Sequence, residues 1–153
     1  MDINQVKKDS LKLIEESKAA YLTTIDPNDA PITRAMLNLR NKEQFPEFAS
    51  FFNKQENKFL IYISTNTSSS KISHIQRNPT INVYFCDPDD FKGVMLGGKV
   101  EIVEDKKLKN EIWLDWWTRY YPEGVDDPDY TLLRLNPTNL RYYYRLNQVN
   151  FEL

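Results

Sequence analysis

The hydroxyl-rich run Thr65–Lys71 is the part of this sequence whose residue types could most readily do chemistry. It consists of TNTSSSK and joins an apolar, β-branched stretch to a short segment with helical spacing. Serine and threonine are good turn and N-cap residues, so the run predicts a turn followed by a helix N-terminus. Free backbone N–H groups, the helix dipole and the charge of Lys71 together predict an anion site. An ordinary Ser-capped helix with a solvated lysine fits the same residues.

Regular elements on both sides must position this run. Phe59–Thr65 has the composition of a buried strand, and Thr80–Phe85 alternates as a second strand. Between them, Ile72 and Ile75 are spaced to pack inward from a helix that Pro79 ends. The unit is therefore predicted as strand, polar turn, helix and strand.

The rest of the chain predicts further strands with helices at their edges. Gly97-Gly98 interrupts one of these strands, which is typical of a bulge, a barrel corner or a close backbone approach. Aromatic residues at i, i+3, i+4 and i+7 predict that one face of the second long helix packs into the core: Trp113, Trp116, Trp117 and Tyr120. The remaining predicted elements are helices over 2–18 and 106–121, a helical turn over 45–52, and strands over 21–25, 32–41, 91–104, 130–136 and 140–146.

Length and charge limit the class of protein. With 153 residues the chain has room for one domain with a core, so we predict a single domain over 1–153. A formal net charge of −2 argues against general nucleic-acid binding, which needs an excess of positive charge. Residues 1–18 lack the apolar run of a signal peptide, and no stretch is long enough to span a membrane. We therefore expect a cytoplasmic protein.

Side chains that could catalyse a reaction unaided are scarce. The one histidine, His74, falls on the predicted helix over 70–78, and we interpret it as a surface residue or a support behind the site. No cysteine pair, HExxH motif or EF-hand loop predicts a metal, and four glycines are too few for the phosphate-binding glycine motifs. The run LRYYYR at 140–145 could stack single-stranded bases, but the pI near 5.5 disfavours that alternative.

Several segments in this order resemble the FMN-binding split barrels of the pyridoxamine 5′-phosphate oxidase superfamily. The segments are PITRAM at 31–36, TNTSSSK…NP at 65–79, YYPEGVDDPDY at 120–130 and LNPTNLRYYY at 135–144. The resemblance is nearest to the general-stress-protein branch of that superfamily. It implies a mainly β, six-stranded antiparallel split barrel with peripheral helices, and a homodimer with FMN between the subunits.

The resemblance also implies which residues hold the flavin. Arg34 would contact the phosphate or the adjoining ribityl chain, while Tyr143 would lie close to the flavin. From the residues alone, Arg34 fits a cross-strand salt bridge equally well, and Tyr143 fits barrel packing. The full set of implied cofactor-binding residues is Arg34, Met36, Ser64, Thr65, Ser69, Ser70, Lys71 and Tyr143.

The sequence departs from the pyridoxamine phosphate oxidases at several positions. Leu39 stands where they carry a lysine for the substrate phosphate, Ser70 where they carry an arginine, and Gly93 near their glutamine. Oxidation of pyridoxamine phosphate is therefore not expected. The two remaining hypotheses are an FMN-dependent oxidoreductase of an unidentified small molecule, with a nicotinamide as a candidate reductant, and a module that stores, carries or senses FMN. The alternatives to FMN are another flavin-like cofactor and heme.

Overall fold

Eight antiparallel strands form one sheet, with short helices at its edges. The computed structural model describes residues 1–153. The helices are α1 (Ile3–Glu16), α2 (Ala49–Asn53), α3 (Ser70–Arg77) and α4 (Lys106–Glu111). The strands are β1 (Ala19–Ile25), β2 (Pro31–Leu37), β3 (Ile61–Asn66), β4 (Thr80–Asp87), β5 (Lys92–Ile102), β6 (Tyr130–Leu135), β7 (Asn139–Tyr144) and β8 (Asn147–Glu152). None of the helices has the length and apolar character needed to cross a membrane.

Six of the strands form the wall of a split barrel. They pair in the order β2-β1-β4-β5-β6-β3, while β7 and β8 form a hairpin that adds to β5. The end strands β2 and β3 contact each other without pairing, so the sheet curls into a barrel that stays open between them. The predicted mainly β fold of the split-barrel type is therefore confirmed.

The Gly97-Gly98 pair marks the corner of the barrel. Residues 92–97 of β5 pair with β7, whereas residues 100–102 of the same edge pair with β6. On the other edge of β5, pairing with β4 continues without a break through Asn82↔Gly97 and Ile81↔Gly98. The glycines thus accompany a change of partner strand and not a bulge.

Two hydrophobic clusters fill the molecule. The first occupies the barrel interior, where α1 contributes Val6, Leu13 and Ile14, all of them buried. The second is largely aromatic and lies where α2 and the chain after β5 pack, around Phe48 and Trp117. The predicted helix over 2–18 is therefore observed as α1, and it closes the barrel core.

Two strands differ from the predictions by more than two residues. The strand predicted over 32–41 ends at Leu37, because the Asn38 amide turns inward and donates to the carbonyls of Ile14 and Ser17. The final strand β8 was not predicted, since only its Val149 and Phe151 are apolar. It follows a tight turn whose two residues, 145 and 146, both have positive φ.

The helix predicted over 106–121 is wrong. α4 ends at Glu111, Ile112 leaves the helical region at φ −103° and ψ 62°, and a short 3₁₀ turn covers Asp115–Arg119. Ile112 and Trp117 are both fully buried in the aromatic cluster. In a straight helix, residues five apart point about 140° away from each other, so the chain must break to bury both.

The aromatic stripe is correspondingly divided. Trp117 is 1% exposed, whereas Trp116 and Tyr120 are 47% and 56% exposed. The Tyr130 hydroxyl donates to the Ile112 carbonyl over 2.6 Å and satisfies the backbone at the break. Burial raises the pKa of Tyr130, which keeps the phenol protonated as a donor.

Substituting Tyr130→Phe tests this account of the broken helix. Removal of the hydroxyl leaves the Ile112 carbonyl buried without its donor, so we expect a loss of about 1–3 kcal/mol in the free energy of unfolding. Urea denaturation followed by circular dichroism measures the loss. Tyr120→Phe is the matched control and should leave the stability unchanged, and equal stability of both variants would contradict the proposed contact.

Candidate anion-binding site

The predicted hydroxyl-rich turn leads from the end of β3 into the N-terminus of α3. Ser69 is the N-cap residue, and its side chain accepts a hydrogen bond from the backbone N–H of Lys71. The Lys71 ammonium folds back and donates to the same Ser69 hydroxyl oxygen over 2.6 Å. A charged amine therefore lies at the positive end of the helix dipole, where dipole effects alone disfavour it.

Asp129 fixes the conformation of this turn. One carboxylate oxygen accepts from the Ser68 backbone N–H at 2.8 Å and the other from the Asn66 amide at 2.6 Å, while the Asp129 carbonyl accepts from Thr67. The hydrogen bonds from Asn66 and Ser68 lower the pKa of the Asp129 carboxyl. Asp129 belongs to the YYPEGVDDPDY segment, which thus supports the site from the turn that leads into β6.

Arg34 extends from β2, the edge strand of the barrel. Its Nη1 donates to the Thr24 hydroxyl at 2.8 Å, to the Ile32 carbonyl at 2.9 Å and to the Leu22 carbonyl at 3.4 Å. Its Nε and Nη2 donate to no group of the protein, and it takes part in none of the ion pairs of the chain. The alternative of a cross-strand salt bridge is therefore wrong.

Arg34 and Lys71 form a pair of like charges. Burial, and secondly the charge of Arg34, lower the pKa of the Lys71 amine. Burial likewise lowers the pKa of the Arg34 guanidinium. Neither cation has a carboxylate oxygen within 4.0 Å, since the ion pairs of the chain all involve other residues. Free donors of both side chains are thus available to an anion that lies between them.

His74 lies behind this pair, and the surface alternative for it is wrong. The residue is only 9% exposed, and its Nδ1 lies 2.9 Å from the hydroxyl of Thr24. Thr24 is fully buried and is the same residue that accepts from Arg34. The structure therefore links His74, Thr24 and Arg34 in one chain of hydrogen bonds, which is buried at its His74 end.

The remaining residues that the resemblance implied lie at varying distances from the pair. Ser64 and Thr65 are buried at the end of β3, immediately before the turn, and Ser70 is exposed as the first residue of α3. Met36 packs partly against the barrel core, two residues along β2 from Arg34. Tyr143 lies on β7, four strands away from β2 in the sheet. Within one chain, Tyr143 is therefore not brought to the other residues.

Sequence reasoning missed two residues that complete the site, Thr24 and Asp129. Thr24 occupies an inward position of β1, in alternation with Leu22, so a polar residue at a predicted core position was a visible signal. Asp129 had no such signal, because it reaches the turn through the pairing of β3 with β6.

Comparisons with known proteins agree with this fold. The family model described as pyridoxamine 5′-phosphate oxidase matches residues 6–144. No curated protein matches the sequence at a significant level.

Solved structures give the same result. A protein from Clostridium acetobutylicum related to general stress protein 26 of Bacillus subtilis, of the pyridoxinephosphate oxidase family, is 31% identical with a TM-score of 0.78. The match covers 100% of this chain and 97% of that one. General stress protein 26 of Bacillus anthracis is 24% identical with a TM-score of 0.69, covering 96% and 99%.

A more distant structure shares the fold alone. A heme-binding protein from Mycobacterium smegmatis is 11% identical with a TM-score of 0.66, and the match covers 96% of this chain and 57% of that one. The family model and the Clostridium structure each extend over most of the sequence. This chain belongs to the pyridoxamine 5′-phosphate oxidase family.

Proposed function

We propose that this chain binds FMN through its phosphate at the Arg34–Lys71 pair and works as an FMN-dependent oxidoreductase of a small molecule. The observation that carries the proposal is the pair itself: two adjacent cations with free donors and no carboxylate partner. A phosphate between them would relieve their repulsion and accept from Nε and Nη2 of Arg34 in bidentate geometry. The N-terminus of α3 would add its dipole to the same group.

Several observations favour a flavin phosphate over heme. The distant heme-binding structure raises that alternative, and histidine is a common axial ligand of heme iron. Here the only imidazole is buried and its Nδ1 is bonded to Thr24. FMN, in contrast, carries a dianionic phosphate, and this group suits two cations, Arg34 and Lys71, that have no carboxylate partner.

The protein residues would bind and orient the cofactor, which supplies the hydride or electron transfer when bound. Ser69 and Lys71 would hold the phosphate with Arg34, while Ser64 and Thr65 lie along the path from the turn into the barrel end. Ser70, exposed at the start of α3, and Met36 are proposed to line the site. In this proposal the substrate is not pyridoxamine phosphate. Leu39 occupies the position at which those oxidases carry a substrate-binding lysine, and it is buried in the aromatic cluster.

The outer face of the sheet supports a homodimer. Tyr21 and Tyr84 are paired across β1 and β4, and they are 37% and 39% exposed; Tyr143, two strands further, is 38% exposed. A shallow, mostly apolar groove of about 460 Å³ runs between Tyr21 and Met95 on this face. We propose that a second copy covers it, and that the partner completes each flavin site with residues such as Tyr143.

Flavin binding should depend on the phosphate and on both cations. We expect isothermal titration to show much tighter binding of FMN than of riboflavin. Arg34→Ala combined with Lys71→Ala should weaken FMN binding at least about 100-fold, since each charged hydrogen bond is worth about 1.5–3 kcal/mol. Riboflavin affinity should change little.

The matched control for this titration is the double variant Lys107→Ala with Arg119→Ala, which removes two exposed cations elsewhere and should bind FMN normally. Circular dichroism should show that both double variants fold. Full FMN affinity in the Arg34/Lys71 double variant would contradict the proposed site.

The subunit interface can be tested with Ala35→Glu. Ala35 is exposed on β2 and paired with Tyr21, so a carboxylate there would be buried without a partner in the proposed dimer. Analytical ultracentrifugation should show a dimer for the native chain and a monomer for the variant. Leu146→Glu, in the turn before β8, should remain dimeric; a dimeric Ala35→Glu variant would place the interface elsewhere.

Reduction of the bound flavin separates the oxidoreductase from the carrier hypothesis. Under anaerobic conditions we expect NADH or NADPH to bleach the flavin absorption, and we expect oxygen to restore it. Stopped-flow absorbance measures both steps. Bound FMN that is reduced neither by NADH or NADPH nor by small-molecule donors previously reduced with dithionite would instead support storage or sensing.

A further inference from the structure

The chain of hydrogen bonds behind Arg34 is buried at Thr24 and His74 and partly buried at Arg34. Arg34 Nη1 lies 2.8 Å from the Thr24 hydroxyl oxygen, which in turn lies 2.9 Å from His74 Nδ1. Thr24 is fully buried, and His74 is 9% exposed. The three residues come from β2, β1 and α3, so the chain spans three elements of the barrel end.

Donor and acceptor chemistry limits the direction of this chain. A guanidinium can only donate, so the Thr24 oxygen accepts from Arg34. Thr24 is fully buried, and its hydroxyl contacts no hydrogen-bond acceptor other than His74 Nδ1. A buried hydroxyl proton needs a partner, so this arrangement favours donation from Thr24 to Nδ1, with the ring proton on Nε2.

We propose that His74, with Nδ1 as an acceptor, is a positioning residue for Arg34, on which it acts through Thr24. When His74 Nδ1 accepts a hydrogen bond from the Thr24 hydroxyl, a lone pair of the hydroxyl oxygen points toward Arg34 Nη1. This contact holds the Nη1 edge of the guanidinium against the protein. The opposite edge, Nε and Nη2, then faces outward with its donors unused. The consequence for ligand binding rests on the proposed phosphate site.

The first test needs no ligand and uses the fact that His74 is the only histidine of the chain. In protein labelled with ¹⁵N at histidine, the side-chain spectrum contains one imidazole. We expect a pyridine-like Nδ1 and a protonated Nε2 at neutral pH, and we expect Thr24→Val to change the Nδ1 shift. A protonated Nδ1 would overturn the proposal, because Thr24 could not then donate to it.

The second test measures the ratio of FMN to riboflavin affinity in three variants. His74→Leu and Thr24→Val should each weaken FMN binding about tenfold and leave riboflavin binding unchanged. His74→Asn, whose amide oxygen can accept where Nδ1 does, should restore most of the loss. The His74→Leu/Thr24→Val double variant should be no weaker than either single variant, because both break the same chain.

Ser17→Ala is the matched control, since it removes a buried hydroxyl that bonds to Leu13 and lies outside the chain of hydrogen bonds. It should leave the FMN to riboflavin ratio unchanged. Phosphate-dependent binding that His74→Leu does not alter would overturn the inference alone. Equal affinity of the native protein for FMN and riboflavin would instead overturn the phosphate site, while the histidine spectrum would still decide the direction of the chain.

Discussion

The structure depends on holding two positive charges side by side without a negative one. Arg34 and Lys71 are both partly buried, and burial disfavours the charged form of each; the charge of Arg34 further disfavours that of Lys71. The protein contacts that hold them are neutral: the hydroxyls of Thr24 and Ser69 and two backbone carbonyls. Neutral acceptors orient the cations and leave their charge uncompensated, which is the arrangement that the proposed phosphate site requires.

The open side of the split barrel allows this arrangement. β2 is an end strand of the sheet, so no further strand pairs with its free edge and covers Arg34. On the other side of the opening, β3 runs into a turn that Asp129 holds through three hydrogen bonds. The two cations thus lie on separate regular elements, β2 and α3, and neither is carried by a loop.

Local signals explain which parts of the fold were predictable. The strand, Ser-capped turn and helix around Lys71 appear as predicted, because β-branching, capping and the Asn-Pro stop all favour the same structure. The helix over 106–121 failed because tertiary packing buried Ile112 and Trp117 together. The link from His74 to Thr24 joins residues 50 positions apart, and no local pattern carries such information.

The most direct test of the account is the identity of the small molecule that accompanies the native protein when it is purified. An absorption spectrum of the purified protein, followed by mass spectrometry of whatever heating releases, identifies that molecule without any assumption about the reaction. We predict flavin absorption bands and the mass of riboflavin 5′-monophosphate. A colourless protein that takes up no added FMN, a heme spectrum, or release of unphosphorylated riboflavin would contradict the claim that Arg34 and Lys71 exist to hold a flavin phosphate.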